Sequence, residues 1–136
     1  MPHVTIENSS PGISGLLIQF PETAHAMREL VEVLLCGPST LSQGERELIG
    51  SSVSYWNDCH FCHTSHGAAA AASLGCELDL IDDIKAGLYK YPVSPKLRAL
   101  LNIAHHTQQG GKRVTAAAVE AARMQAPPIA RSTTPC

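Results

Sequence analysis

Two thiols and three imidazoles fall within eight residues of this chain, Cys59-His60-Phe61-Cys62-His63-Thr64-Ser65-His66. On a helix each residue turns by about 100°. Counted from Cys59, Cys62 falls at about 300°, His66 at about 340° and His63 at about 40°, so those four side chains share one face. His60 lies at the margin of that face, and Phe61 points away from it, toward a core. A cysteine pair at this spacing can close a disulfide in the first turn of a helix. A thiolate there can attack peroxide oxygen or a disulfide sulfur. The same letters allow two other chemistries. Cys59-His60-Phe61-Cys62-His63 is the attachment string of c-type haem, with His63 as axial ligand and Met124 or Met27 available as a second. Cys59, Cys62, His63 and His66 are also four residues of the types that bind zinc.

Thiol chemistry on a peroxide needs an acid nearby, because one oxygen must leave as water or alcohol. Histidine is the side chain suited to that work near neutral pH, and His66 is the candidate; an imidazole is best oriented by a carboxylate on its other nitrogen. Glu47, twelve residues before Cys59 and next to an apolar stripe, is the candidate. With Asp58 as N-cap, Cys59 is the first helical residue and Cys62 the fourth, so the positive end of the helix favours thiolate. The haem reading leaves the Glu47 spacing unexplained, and covalent haem attachment normally follows export. The zinc reading asks one stretch of helix to wrap a tetrahedral ion, whereas structural sites usually draw on two segments.

The elements that must hold these residues read as helices throughout. The first twenty residues show no period: Pro11 to Gly15 reads as loop and Leu16-Leu17-Ile18 as an apolar entry. A helix runs from Pro21 to Leu35 with Ala24, Met27, Leu30, Val31 and Leu34 as its inward stripe, stopped by Gly37-Pro38. Ser42 and Glu45 form a capping-box pattern for a helix to Trp56, with Leu48, Ile49, Val53 and Trp56 on its buried side. The cysteine helix continues through Ala68–Ala72, whose small side chains let a neighbour approach, and ends near Leu74-Gly75. A short helix spans Leu78 to Ala86. Ser94-Pro95 starts another that stops at Gly110-Gly111, and Thr115 caps a last one over Ala116 to Gln125. There is no strand pattern and no repeat. Residues 1–126 read as one all-α domain and 127–136 as a disordered tail.

Composition narrows the functions. The 136 residues carry a formal charge of −2 with no basic block, which argues against nucleic-acid binding. No apolar run is long enough to span a bilayer. The N-terminus lacks the charged and apolar regions of a signal peptide, so a cytoplasmic location is expected. Five cysteines, an odd number, speak against a structural disulfide framework. Cys36 and Cys76, beside glycines, read as small buried hydrophobes, and Cys136 as an exposed terminal residue.

The segments Leu41 to Ile49, Val53 to Cys62 and His66-Gly67 together resemble the core of the alkylhydroperoxidase D and carboxymuconolactone decarboxylase superfamily, its peroxidase-related branch most of all. The family spacing of Glu, Cys, Cys and His is met at Glu47, Cys59, Cys62 and His66. The resemblance implies an alkylhydroperoxidase D-like helical bundle that assembles as a homo-oligomer, often a trimer or hexamer. It implies thiol-dependent reduction of alkyl hydroperoxides without metal or haem. In that analogy Cys62 is the peroxidatic thiol, Cys59 resolves its sulfenic acid to a Cys59–Cys62 disulfide, Glu47 and His66 relay protons, and an external dithiol reductant restores the pair. The chain departs from the family in two ways. Phe61 stands where the best-studied members carry histidine, and His60 is one position early. The usual C-terminal helix is shortened or missing after Ala126. A non-catalytic oligomeric scaffold of the same superfamily is the alternative. The branch that decarboxylates γ-carboxymuconolactone typically lacks the cysteine pair, which argues against that reaction.

Overall fold

The computed structural model describes residues 5–87 and 93–125, and the tail expected at 127–136, Cys136 included, lies outside them. In chain order come α1 (Ile13–Gln19), α2 (Pro21–Leu35), α3 (Gln43–Trp56), α4 (His60–Leu74), α5 (Leu78–Lys85), α6 (Pro95–Gln109), a single 3₁₀ turn (Gly111–Arg113) and α7 (Ala116–Gln125). There is no strand among the described residues, so the all-α expectation stands.

Local chemistry sets most of the helix ends. Ser42 accepts the Glu45 amide at its hydroxyl while the Glu45 carboxylate accepts the Ser42 amide at 2.8 Å, a complete capping box. Ser94 caps α6 through the Leu97 amide, with Pro95 in the first helical position. Thr115 caps α7 through the amide of Ala118. Gly75, in the left-handed conformation, ends α4. The first twenty residues contain a helix that periodicity does not reveal. The short α1 forms there, held to the preceding stretch of chain by the Gln19 and Asn8 side chains.

The core is small. Leu48, Ala70, Ala71, Ile81, Ile84, Leu97 and Leu101 form one buried cluster, with Ile49, Trp56, Cys76, Leu80 and Val93 against it. Its centre is the pairing of α3 with α4, and α5 and α6 close over that pair. Small residues make the pairing tight. A Cβ on Gly67 would lie 3.2 Å from the Ser51 hydroxyl oxygen and 3.5 Å from Ile81. The buried Ser51 hydroxyl donates to the His63 carbonyl at 2.8 Å, pinning one helix to the other.

The stripe expected to bury α2 is helical but faces outward. Ala24 is buried, whereas Met27, Leu30, Val31 and Leu34 are exposed, because among the described elements α2 touches only α1 and the edge of α3. Its C-terminal end is tied to α3 by Arg46, which donates to the carbonyls of Leu34 and Gly37 at 3.0 and 2.8 Å. Cys36 is exposed rather than buried, with the Gln43 amide 3.5 Å from its sulfur, while Cys76 packs on the core as expected. Phe61 does not enter the core either. Its ring rests on Gly12, whose left-handed backbone (φ 58°) and missing side chain leave room for it.

Overpacking at the α3–α4 contact should be costly. Gly67→Leu is expected to lower unfolding stability by about 2 kcal/mol, read as a fall in the thermal midpoint. An unchanged midpoint would contradict the close approach.

Candidate functional site

The turn between α3 and α4 decides where the cysteines sit. Asp58, the only described non-glycine residue with positive φ (55°), does not cap the cysteine helix. It ends α3. The Asp58 amide donates to Tyr55 and the Cys59 amide to Ser54, the paired bonds of a Schellman motif with Asp58 in its left-handed position. Aspartate tolerates that conformation better than most residues. Cys59 is therefore the N-cap of α4, one residue earlier in helical register than expected, and Cys62 is its third helical residue. Cys59 is locked from both sides, its amide into α3 and its carbonyl into the first bond of α4, accepted from His63 at 3.0 Å.

N-cap and third helical residue are the two positions that a capping box couples, each side chain to the other's backbone amide. Here both carry sulfur. Both are half-buried free thiols at the start of α4. The contact with Cys59 is the largest cause pushing the Cys62 thiol above its ordinary pKa, and burial adds to it. This opposes the expectation from helix position: the helix N-terminus favours thiolate, whereas the second thiol and partial desolvation push the Cys62 pKa up.

An imidazole paired with a carboxylate stands on the same helix. His66 lies one turn after Cys62 on the same face. Its Nδ1 is 2.7 Å from Glu47 Oε2, across the α3–α4 contact. Glu47 is only 7% exposed, so its carboxylate depends on this partner. The ring of His66 lies over Gly50, where a Cβ would sit 3.5 Å away. Glu47, Gly50 and Ser51 thus form one patch of α3. Glu47 anchors the imidazole, Gly50 lies against it, and Ser51 ties down the α4 backbone. All four expected site residues, Glu47, Cys59, Cys62 and His66, belong to this one region.

Sequence reasoning missed Lys85. It lies at the end of α5, is 5% exposed, and brings its Nζ 3.0 Å from His63 Nδ1 and 2.5 Å from Asp82 Oδ1. The Nζ also sits 5.7 Å from the centre of the Tyr55 ring. The Trp56 indole, donating to the Lys85 carbonyl at 3.1 Å, holds that end of α5 in place. A signal was present: Lys85 follows Ile81 by four residues and Ile84 by one, which puts a lysine on the apolar stripe of a short helix. Burial is the main cause that lowers the His63 pKa. Lys85 and His60 lower it further, against the opposite pull of Asp82 and Asp58. His60, whose role the sequence left open, is exposed, with its ring 5.2 Å from that of His63.

The residues named for zinc and haem are placed as follows. Among the described residues no three His, Cys, Asp or Glu side chains converge as a metal site, so Cys59, Cys62, His63 and His66 do not form a zinc ligand set. Met27 and Met124, the available second haem ligands, sit on α2 and α7, and neither helix packs against α4.

Comparison with known proteins agrees with the fold. Residues 21–106 match the carboxymuconolactone decarboxylase family, and the chain belongs to that family. Its structure is similar to the crystal structure of an alkylhydroperoxidase AhpD core, an uncharacterized peroxidase-related protein from Ralstonia eutropha JMP134. The TM-score is 0.73 at 28% sequence identity, over 80% of this chain and 57% of that one, so this chain spans less than two thirds of that protein's length. Comparison with curated proteins gives no match. No described helix is long and apolar enough to cross a membrane.

The thiol–thiol contact can be tested directly. Cys59→Ala removes the largest cause holding the Cys62 pKa up, so more Cys62 is thiolate at any pH below its ordinary value. Alkylation of Cys62 by iodoacetamide at pH 7.5, followed by peptide mass analysis, is expected to quicken about threefold or more. An unchanged or slower rate would contradict the assigned cause.

Proposed function

We propose that this chain reduces organic hydroperoxides with its Cys59–Cys62 dithiol, using Glu47 and His66 as a proton relay. The observation that carries the reading is the 2.7 Å contact of Glu47 with His66, one helical turn from the half-buried Cys62 thiol. A thiol that attacks as thiolate needs a base beside it, and a leaving alkoxide needs an acid. One imidazole backed by a carboxylate can be both in turn.

His66 takes the Cys62 proton. The Cys62 thiolate attacks the distal peroxide oxygen, the O–O bond breaks, and the alkoxide leaves with the proton now on His66, giving an alcohol and Cys62 sulfenic acid. Cys59 as thiolate then attacks the Cys62 sulfur. The S–S bond forms, the S–O bond breaks, and the hydroxide leaves as water with a proton from the relay. An external dithiol, itself oxidised to a disulfide, reduces the pair. These steps require no metal, haem or organic cofactor.

The chain acts as a homo-oligomer in this reading. Met27, Leu30, Val31 and Leu34 present a contiguous apolar stripe on α2, a surface of the kind that a second subunit covers. The family's trimers and hexamers supply the precedent, and the cytoplasm, where reducing dithiols are maintained, suits the cycle.

Cys62→Ser should abolish dithiol-dependent consumption of cumene hydroperoxide, and activity surviving it would refute the role given to Cys62. Glu47→Gln should lower kcat on the order of a hundredfold and shift the acid limb of the pH–rate profile. A profile that does not move would remove Glu47 from the relay. Sedimentation at micromolar concentration should give a species larger than one chain, and a monomer would contradict the reading of α2.

A further inference from the structure

Two cysteine–histidine pairs repeat at the same spacing on α4. His66 follows Cys62 by one turn, and His63 follows Cys59 by one turn. Their outer partners are of opposite sign. His66 leans on the carboxylate of Glu47 at 2.7 Å, and His63 on the ammonium of Lys85 at 3.0 Å. An ammonium has only protons to offer, so Nδ1 of His63 accepts and the ring proton stands on Nε2.

We infer that Lys85 is a positioning residue for the second half of the cycle: it holds His63 as a neutral imidazole whose Nε2–H stabilises negative charge on Cys59. The inference deepens the proposed function and rests on it. Cys59 carries that charge twice in the cycle, when it attacks the Cys62 sulfenic acid and when it leaves as the external dithiol opens the disulfide. The neutral imidazole gives its hydrogen bond without giving up its proton, so no atom or electron is added to the balance already written.

The neighbours of His63 are consistent with this role. Lys85 and Asp82 face it from α5, Tyr55 from α3 with ring centres 5.6 Å apart, His60 from α4 with ring centres 5.2 Å apart, and Asp58 from the preceding turn. Cys59 and Cys62 share its helix. Asp82 is also the second partner of Lys85, so the charge nearest to Nδ1 is an ammonium already held by a carboxylate. The Ser51 hydroxyl on the His63 carbonyl and the Trp56 indole on the Lys85 carbonyl fix the two backbones from the same helix. A buried lysine is costly to keep. Its placement on an imidazole beside the reactive dithiol gives that cost a use.

The test separates the two halves of the cycle. Reduced protein is mixed with one equivalent of cumene hydroperoxide, and the Cys62 sulfenate is followed with a dimedone-type probe. Lys85→Met and His63→Phe should each form the sulfenate at the wild-type rate and resolve it about tenfold more slowly, because a hydrogen bond to a charged partner is worth at least that factor. Lys85→Arg should restore resolution. The His63→Phe variant keeps the ring and needs no buried charge removed, so it carries the test where Lys85→Met does not fold. As a readout independent of turnover, the His63 imidazole should titrate at higher pH in Lys85→Met, since a cause that lowers its pKa is gone, and should stay low in Lys85→Arg. Unchanged resolution in His63→Phe, or an unmoved His63 titration in folded Lys85→Met, overturns the inference. Absence of any sulfenate on Cys62 in Cys59→Ser, where no thiol resolves it, overturns the proposed function instead, a different result.

Discussion

A carboxylate on one helix can reach an imidazole on the next only where the two backbones come close, and the α3–α4 contact provides that approach. Gly50 and Gly67 carry no side chain, Ser51, Ala70 and Ala71 carry small ones, and the Ser51 hydroxyl bonds directly to the α4 backbone. Within that contact Glu47, nearly removed from water, finds its partner in His66 at 2.7 Å. Burial makes the pair matter. In water a single such contact would add little, but a desolvated carboxylate without a partner would be expensive. Packing and chemistry therefore depend on the same few small residues.

The cysteine turn adds a second constraint. The Schellman motif that ends α3 and the N-cap that starts α4 share Cys59, leaving no linker in which the sulfurs could drift. Cys59 and partial burial push the Cys62 pKa up, and the groups around the pair decide how it is activated in the proposed cycle. Those groups differ in sign: a carboxylate stands behind one imidazole and an ammonium behind the other. Neighbouring sulfurs with nearly equal chemistry are thereby given different electrostatic surroundings, which is how two like groups come to do different work.

How much of this could be read in the residues depended on the range of the interaction. Ser42 with Glu45, and Ser94 with Pro95, announce α3 and α6 because capping chemistry is complete within four residues. Glu47 and His66 were legible because each lies on a regular helix at a spacing that helical geometry and the family pattern both specify. Asp58 was misread because an aspartate before a helix serves equally as N-cap or as a left-handed C-cap, and only the bonds from Asp58 and Cys59 back to α3 decide between them. The α2 stripe has the right period but the wrong partner: periodicity says that a face is apolar, not whether this chain covers it. Lys85 was missed because its contact spans 22 residues and depends on how α5 docks. The short α1 was missed because it is held by Gln19 and Asn8 rather than by any repeat of its own.

The most direct test of the proposed chemistry is stoichiometric. Fully reduced protein is given one equivalent of cumene hydroperoxide with no reductant present, and its disulfides are located by peptide mass mapping. One peroxide consumed per chain, with one new disulfide joining Cys59 to Cys62, is the result the Glu47–His66–dithiol arrangement predicts. Peroxide left unconsumed, or oxidation appearing at Cys36 or Cys76 while Cys59 and Cys62 stay reduced, would contradict it.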